Sequence, residues 1–263
     1  MRILLPASPD PVDAPDAAVD LHEHYSHNWV DDGGVRVNFI SSIDGAAAAA
    51  GKSRGLQTPG DNAVFATLRD LADVILVGAS TARTEQYGPP RPSAERRALR
   101  RQYGLAEVPA VAVVSGSLEL DLTSDLYRDG DPDSPTLIIT SSAAPTARRN
   151  DIIDLAGTAA PLQLLQTPAA ADGGVDFAAA VGQLRELGHR RILCEGGPRL
   201  FSAGLLAGAV DELCLTVSPM LAGPGGPRIV GGDEWPADLL PQLRLTGLLL
   251  EDDALFCRYR VAH

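Results

Sequence analysis

Lysine is almost missing from this chain: among the 22 Lys and Arg side chains in 263 residues, Lys52 is the sole lysine. Schiff-base and pyridoxal-phosphate chemistry would have to run through that one amine, in a glycine-flanked loop, and both are set aside. Cysteine is nearly as scarce. Cys194, Cys214 and Cys257 lie far apart, and at least two fall inside apolar strand patterns. Buried free thiols in a reducing cytoplasm fit this better than a disulfide framework, and a cytoplasmic protein is expected. No apolar run approaches the roughly 20 residues of a membrane span, and no basic-then-apolar signal segment opens the chain. Positive charge is also in deficit. The formal net charge of −12 argues against a nucleic-acid partner, which requires a basic face. Anionic small ligands stay possible, because a few placed arginines and backbone amides suffice for them.

Several chemical signatures are absent as well. There is no G-x-G-x-x-G dinucleotide fingerprint and no full G-x-x-x-x-G-K-[ST] phosphate loop, and Gly51-Lys52-Ser53-Arg54-Gly55, which matches G-x-S-x-G, follows an alanine-glycine loop and not the strand that a nucleophile elbow requires. His22-Glu23-His24-Tyr25-Ser26-His27 invites a zinc reading, but H-E-x-x-H fails at Ser26, and no cysteine or carboxylate cluster completes a tetrahedron. A solvated histidine patch without metal is expected. H-x-E with P-C-x-x-C is missing too, which excludes zinc deaminase chemistry within these residues. His189, beside Arg190 and Arg191, is expected at the surface.

What is present is a pair of strand ends. Arg191-Ile192-Leu193-Cys194 runs into Glu195-Gly196-Gly197-Pro198, and an apolar-periodic segment follows. That pattern predicts strand, tight turn and helix. Paired glycines let backbone amides approach a ligand, and a helix beginning there aims its dipole at the same place, as a phosphate or pyrophosphate requires. Asp73-Val74-Ile75-Leu76-Val77-Gly78-Ala79-Ser80-Thr81 repeats the theme, with hydroxyls able to cap a helix or meet a phosphate oxygen. Two such ends in one sheet suggest a dinucleotide held across it.

The remaining organisation is that of one α/β domain. Residues 1–34, rich in Pro, Asp and Ala, are expected to form an irregular N-terminal arm that docks through Leu21, Tyr25 and Trp29. The single domain is expected to span 35–263. Strands are expected at 35–40, 74–77, 110–114, 137–140, 162–166 and 191–194, with helices at 58–72, 145–155, 176–187 and 199–207. Thr58-Pro59-Gly60-Asp61 is a strong helix start, with hydroxyl cap, early proline and an acid at the third position. An Arg-rich polar segment fills 91–103. The tail changes character: strands at 213–217, 243–250 and 255–261 lack intervening helices, and Glu251-Asp252-Asp253 joins the last two as an antiparallel hairpin. A mixed α/β sheet follows, mostly parallel with an antiparallel end.

These residues resemble a known family. Val35-Arg36-Val37-Asn38-Phe39-Ile40-Ser41-Ser42-Ile43-Asp44-Gly45 resembles the strand plus S-x-D-G of the riboflavin-biosynthesis pyrimidine reductases. Leu68-Arg69, Asp73 through Gly78, Thr81, Glu195-Gly196-Gly197-Pro198, Asp211-Glu212-Leu213 and Pro219 follow in the family's order and spacing, so the resemblance covers roughly 35–261. It implies a dihydrofolate-reductase-like fold, NADPH as cofactor, a homodimer, and reduction of the ribose of a phosphorylated ribosylamino-pyrimidine, 5-amino-6-(5-phosphoribosylamino)uracil. Hydride from the nicotinamide would reach C1 of the ring-opened ribose, held as an imine.

Carried over residue by residue, the resemblance puts Gly78, Thr81, Glu85 and the segment Gly196, Gly197, Pro198, Arg199, Leu200, Phe201, Ser202 and Ala203 at the cofactor. Ser115 and Ser117 fall where the adenosine end sits, with hydroxyls suited to a 2′-phosphate. Ser53, Arg69, Arg91 and Glu195 match substrate-contacting positions, arginine forks suiting a ribose phosphate. Asp44 is the candidate proton donor. The chain departs from the family at Gly55, where an aromatic residue is usual, at Leu56-Gln57 in place of I-T, and across Glu85-Gln86-Tyr87-Gly88-Pro89-Pro90-Arg91, where D-x-P-x-L-x-x-R is usual. All of these fall on the substrate side. A reductase of the same fold acting on a dihydropterin or dihydrofolate, and an NADP-binding protein without turnover, are the alternatives.

Overall fold

The computed structural model describes residues 1–5, 19–158, 160–236 and 239–262. In chain order the elements are β1 (Arg2–Leu5), α1 (Leu21–Ser26), α2 (Trp29–Asp32), β2 (Gly34–Ser42), α3 (Pro59–Leu71), β3 (Val74–Gly78), α4 (Ala79–Thr84), α5 (Ala94–Gln102), β4 (Ala110–Val114) and α6 (Asp125–Arg128). They continue with β5 (Thr136–Ser141), α7 (Thr146–Ala156), β6 (Leu162–Thr167), α8 (Phe177–Glu186), β7 (Arg191–Cys194), α9 (Pro198–Leu206), β8 (Glu212–Ser218), β9 (Leu243–Glu251) and β10 (Ala254–Val261). A short 3₁₀ turn, Ser53–Leu56, precedes α3.

The ten strands among the described residues form one sheet in the order β1-β9-β10-β8-β2-β7-β3-β4-β5-β6. From β8 to β6 every neighbour is parallel, while β10, β9 and β1 pair antiparallel. The strands β3, β4 and β7 carry unbroken apolar runs because helices cover both of their faces. On one face Val35, Val37, Leu76 and Ile192 pack with Phe177, Leu184 and Phe201 of α8 and α9. On the other, Leu68 and Leu71 of α3 pack with Leu249 and Phe256. The tail is the expected hairpin: Glu251 pairs with Ala254, and Asp252 and Asp253 both have positive φ, 46° and 63°. Such a two-residue connection matches the strand twist, and Asp tolerates the left-handed region better than most side chains.

The N-terminal segment departs from expectation. Residues 19–32 are not irregular: Asp20 caps α1 at the Glu23 amide, and β1 extends the sheet edge beside β9. Residues 6–18 of the expected arm lie outside the described residues. Tyr25 and Trp29 do dock, and they share a core with Leu68 and Phe256. Two buried arginines fasten them. Arg36 donates to the Tyr25 carbonyl at 2.8 Å and stacks on Trp29, and both Arg36 and Arg258 pair with Glu212. His24 is half-buried rather than solvated, and burial pulls its pKa down to about 4. His22 lies 3.3 Å from Asp70.

The Arg-rich stretch holds helix α5, capped by the Ser93 hydroxyl at the Arg96 amide. Its Arg100 is fully buried, and the guanidinium closes the end of α3 by donating to the carbonyls of Arg69, Asp70 and Ala72. The three cysteines are free and buried, and burial raises the Cys194 and Cys214 thiols to about 12.

Candidate active site

Ligand sites in open parallel sheets form outside the carboxyl ends of the strands. Here the ends of β2, β3 and β7 open into a cavity of about 530 Å³, roofed by the 46–57 loop and by α4 with the turn after it. Its lining brings together Ser53, Arg69, Thr81, Glu85, Glu195, Gly197 and Pro198 from the sequence-derived set.

The two strand ends singled out in the sequence meet each other. The Gly78 amide donates to the Gly196 carbonyl at 2.8 Å, and the Glu195 amide donates to Leu76 at 2.9 Å, which prolongs the pairing of β7 with β3 past Cys194. Gly196 has φ +84°, and a Cβ there would stand 2.8 Å from the Phe39 ring. A Cβ on Gly197 would stand 2.5 Å from Thr81 Oγ1. Bare backbone is therefore required at both positions, leaving a shallow cradle between Gly78, Thr81 and the start of α9. No side chain caps α9, so its first amides and dipole face the cradle. An anionic, backbone-hugging group such as a dinucleotide diphosphate fits this surface.

Glu195 lines the cavity with its side chain only 2 % exposed. Arg69, in the last turn of α3, grips it with Nε and Nη2, each 2.7 Å from a carboxylate oxygen. The Tyr87 hydroxyl donates to the same carboxylate at 2.5 Å. The guanidinium stacks on Phe65 and Tyr87, with centroid distances of 4.3 and 5.3 Å. Burial alone would lower the Arg69 pKa, but Glu195 outweighs it and raises that pKa. Burial and the Glu195 carboxylate together raise the Tyr87 phenol well above its ordinary value. This arrangement alters two expectations. Arg69 gives Nε and Nη2 to Glu195, so it positions that carboxylate and does not stand free for a phosphate; Glu195 is in turn held rigid, its Oε2 taken by two donors and its Oε1 by one. Tyr87, quoted in the sequence without a role, is the missed member. Gln86, with φ +56°, turns the chain so that Tyr87 points inward.

Glu85 lines the cavity as well and has a partner there. Its carboxylate accepts from the Ser53 amide at 2.9 Å and thereby pins the 46–57 loop over the cavity. The loop brings in Arg54, a cavity cation the sequence had not marked. Asp61, read in the sequence only as part of a helix start, lines the cavity while 4 % exposed. Both were hidden by ordinary local explanations, a loop charge and a capping acid.

Several assigned residues lie elsewhere. Asp44 is exposed and outside the cavity lining; it accepts from the Ser42 hydroxyl and from the Ala222 and Gly223 amides, 3.1 and 2.8 Å away. Those bonds, Ser42 foremost, hold its pKa below the usual carboxylate value. It braces the turn after β2, and its lowered pKa suits neither storage nor delivery of a proton. Arg91 is exposed and paired with Asp129. Ser115 is buried with its hydroxyl accepting from the Leu118 amide at 2.9 Å, so it shapes the turn after β4. Ser117 is exposed beside Arg148, which donates to its carbonyl at 2.7 Å. Neither serine lines the cavity. In α9 the helical period turns Phe201 and Ser202 inward: Phe201 packs against Phe39, and Ser202 accepts from the Trp235 indole at 2.8 Å. Leu200 and Ala203 pack against the same core, and Arg199 faces solvent.

The chain is 26 % identical over 203 residues to the 2,5-diamino-6-ribosylamino-4(3H)-pyrimidinone 5′-phosphate reductase of Archaeoglobus fulgidus, covering 76 % of this chain and 87 % of that protein. The crystal structure of a pyrimidine reductase-like protein from Corynebacterium diphtheriae matches with a TM-score of 0.78 at 26 % identity, over 93 % of this chain and 100 % of that one. The diaminohydroxyphosphoribosylaminopyrimidine deaminase/5-amino-6-(5-phosphoribosylamino)uracil reductase of Thermotoga maritima shares the fold, with a TM-score of 0.63 at 14 % identity over 90 % of this chain and 59 % of that one. The expected mixed α/β sheet, mostly parallel with an antiparallel end, is the architecture found. A family model, the RibD C-terminal domain, matches residues 34–252, and this chain belongs to that family.

Proposed function

We propose that this protein is an NADPH-dependent reductase of a phosphorylated ribosylamino-pyrimidine in riboflavin biosynthesis. One observation carries the proposal: the glycine cradle at Gly78, Thr81 and Gly197 opens directly onto the cavity that holds Glu195, Arg69 and Tyr87. The cradle suits a dinucleotide diphosphate, and the polar cavity beside it suits a polyfunctional heterocycle. NADPH, when bound, supplies the hydride that reduces the imine carbon of the opened ribose. The chain's own residues bind and orient. Thr81 and the first amides of α9 hold the diphosphate in this reading, and Arg148, beside Ser117, is the cation on offer to a 2′-phosphate. Glu195, fixed by Arg69 and Tyr87, presents a rigid acceptor edge to ring amino groups. Arg54 supplies the cation for the ribose phosphate, the role first assigned to Arg69 and Arg91. Phe39, Phe65 and Pro227 line the cavity with apolar surface that excludes water.

The archaeal relative is named for the diamino-pyrimidinone, whereas the sequence resemblance points to the uracil; the rings differ by an amino group in place of a carbonyl oxygen. Both belong in the assay. NADPH oxidation is expected with a pyrimidine ribosylamine phosphate and not with dihydrofolate, and turnover of dihydrofolate alone would overturn the proposal. A cytoplasmic homodimer is part of this reading, and sedimentation of the purified protein tests the dimer.

A further inference from the structure

The cavity holds two buried carboxyl groups in opposite circumstances. Glu195 has its oxygens taken up by Arg69 and Tyr87. Asp61, in the first turn of α3, is equally sunk but has no cation: among the described residues no ion pair reaches it, and its one side-chain hydrogen bond comes from the Thr216 hydroxyl of β8. Its own backbone amide is satisfied by Thr58 Oγ1 at 3.1 Å, so the side chain is not needed to cap the helix. Thr216 is itself 1 % exposed, which fixes the carboxyl from the sheet side. Burial without a counter-charge favours the neutral form of a carboxyl, and it raises the Asp61 pKa above the usual carboxylate value despite the Thr216 bond. The other charged and titratable groups around the chamber are Arg54 from the 3₁₀ turn, Arg69 from α3, Glu85 and Tyr87 from α4 and its turn, and Glu195 from the end of β7. Glu251, behind Gly60, is held by the Met1 ammonium. Two carboxyls with divergent surroundings in one chamber mark one as the fixed acceptor and the other as the acid.

We propose that Asp61 is the catalytic acid of this site, delivering its proton to the ribosylamine nitrogen as the carbon of the same C=N bond is reduced. The inference rests on the function proposed above. The step balances. Hydride from the dihydronicotinamide forms the new C–H bond, and the C=N π pair takes the Asp61 proton to form N–H. Asp61 is left as carboxylate, to be reprotonated from water, and the nicotinamide is left oxidised. Asp44, first assigned this task, is excluded by its position.

The test has two arms. In the first, the protein without ligands is titrated by infrared difference spectroscopy, with Asp61→Asn as reference. A protonated-carboxyl band present in wild type near neutral pH and missing from the variant is expected; its absence from wild type overturns the proposal. In the second, Asp61→Asn is expected to lower kcat by on the order of a hundredfold, with NADPH affinity and fold retained. Thr216→Val, which removes the hydrogen bond to the anion, is expected to move the alkaline limb of the kcat profile to higher pH, an effect a merely structural role would not produce. Wild-type turnover with an undiminished Asp61→Asn rate, or an unmoved limb in Thr216→Val, overturns the role of Asp61 and leaves the function standing. A wild-type enzyme that turns over neither pyrimidine phosphate overturns both.

Discussion

At the scale of single residues the site depends on what is missing at Gly197 and what is shared at Glu195. Gly197→Ala puts a Cβ 2.5 Å from Thr81 Oγ1 and crowds the cradle. NADPH is expected to bind at least about tenfold more weakly, roughly 1.4 kcal/mol, by fluorescence titration, and unchanged affinity would mean that the diphosphate lies elsewhere. Pairing that change with Thr81→Ala relieves the clash but removes a cofactor contact, so affinity should not return. The arginines separate cleanly. Arg54→Ala is expected to raise KM for a phosphorylated pyrimidine about tenfold or more, since a charged hydrogen bond contributes about 1.5–3 kcal/mol, without changing NADPH affinity. Arg91→Ala should do little, because its exposed pair with Asp129 is the kind that contributes roughly 0–1 kcal/mol. Equal effects of the two would return the phosphate to Arg91. The glycines, Thr81 and Glu195 were legible as neighbours of one cavity because their motifs lie at strand ends, and Arg69, on helix α3, only through the family resemblance. That Arg69 and Glu195 bind each other was not: they are 126 positions apart, and only the packing of α3 beside β7 joins them. Asp61 was illegible for another reason, since an acid in a first helical turn already has a sufficient local explanation.

At the scale of elements, most strands and long helices follow from the sequence, because apolar runs and caps are local signals. Strand β4 falls at the expected residues, and Asp176 caps α8 where the pattern places it. Helix α5 was missed because its inward residue is Arg100, which reads as polar although its guanidinium is wholly buried. Arg100 acts as the cap of α3, the helix that carries both Arg69 and Asp61. Arg100→Met is expected to cost about 3 kcal/mol, the scale of charged hydrogen bonds lost and carbonyls left unpaired, as a lower urea midpoint with an unchanged m-value. A loss below about 1 kcal/mol would show that water or a 3₁₀ turn can close α3 instead. The N-terminal elements α1 and β1 were missed for a different reason: each is short, and their order comes from tertiary docking onto Arg36, Arg258 and the edge of β9.

Over the whole molecule the sheet divides the labour: its parallel part carries the site, and its antiparallel end carries the N-terminal segment on a buried charge cluster. Glu212 is shared there by Arg36 and Arg258, which lower its pKa against the opposing effect of burial. Glu212→Gln leaves both cations uncompensated and is expected to destabilise the fold by about 3–5 kcal/mol. The cluster also holds His24 neutral, burial first and Arg258 second lowering its pKa from 6.5 to about 4. Between those two values the unfolded chain binds a proton that the folded chain does not. Stability is therefore expected to fall as pH drops from 6.5 toward 4, and His24→Gln should flatten that slope in urea titrations. The functional conclusion rests on the parallel half, and one assay addresses it most directly. NADPH oxidation is followed spectrophotometrically with the diamino-pyrimidinone ribosylamine phosphate, with its uracil counterpart and with dihydrofolate. Turnover of at least one pyrimidine phosphate, with none of dihydrofolate, is the expected result; tight NADPH binding with no turnover of either pyrimidine would contradict it.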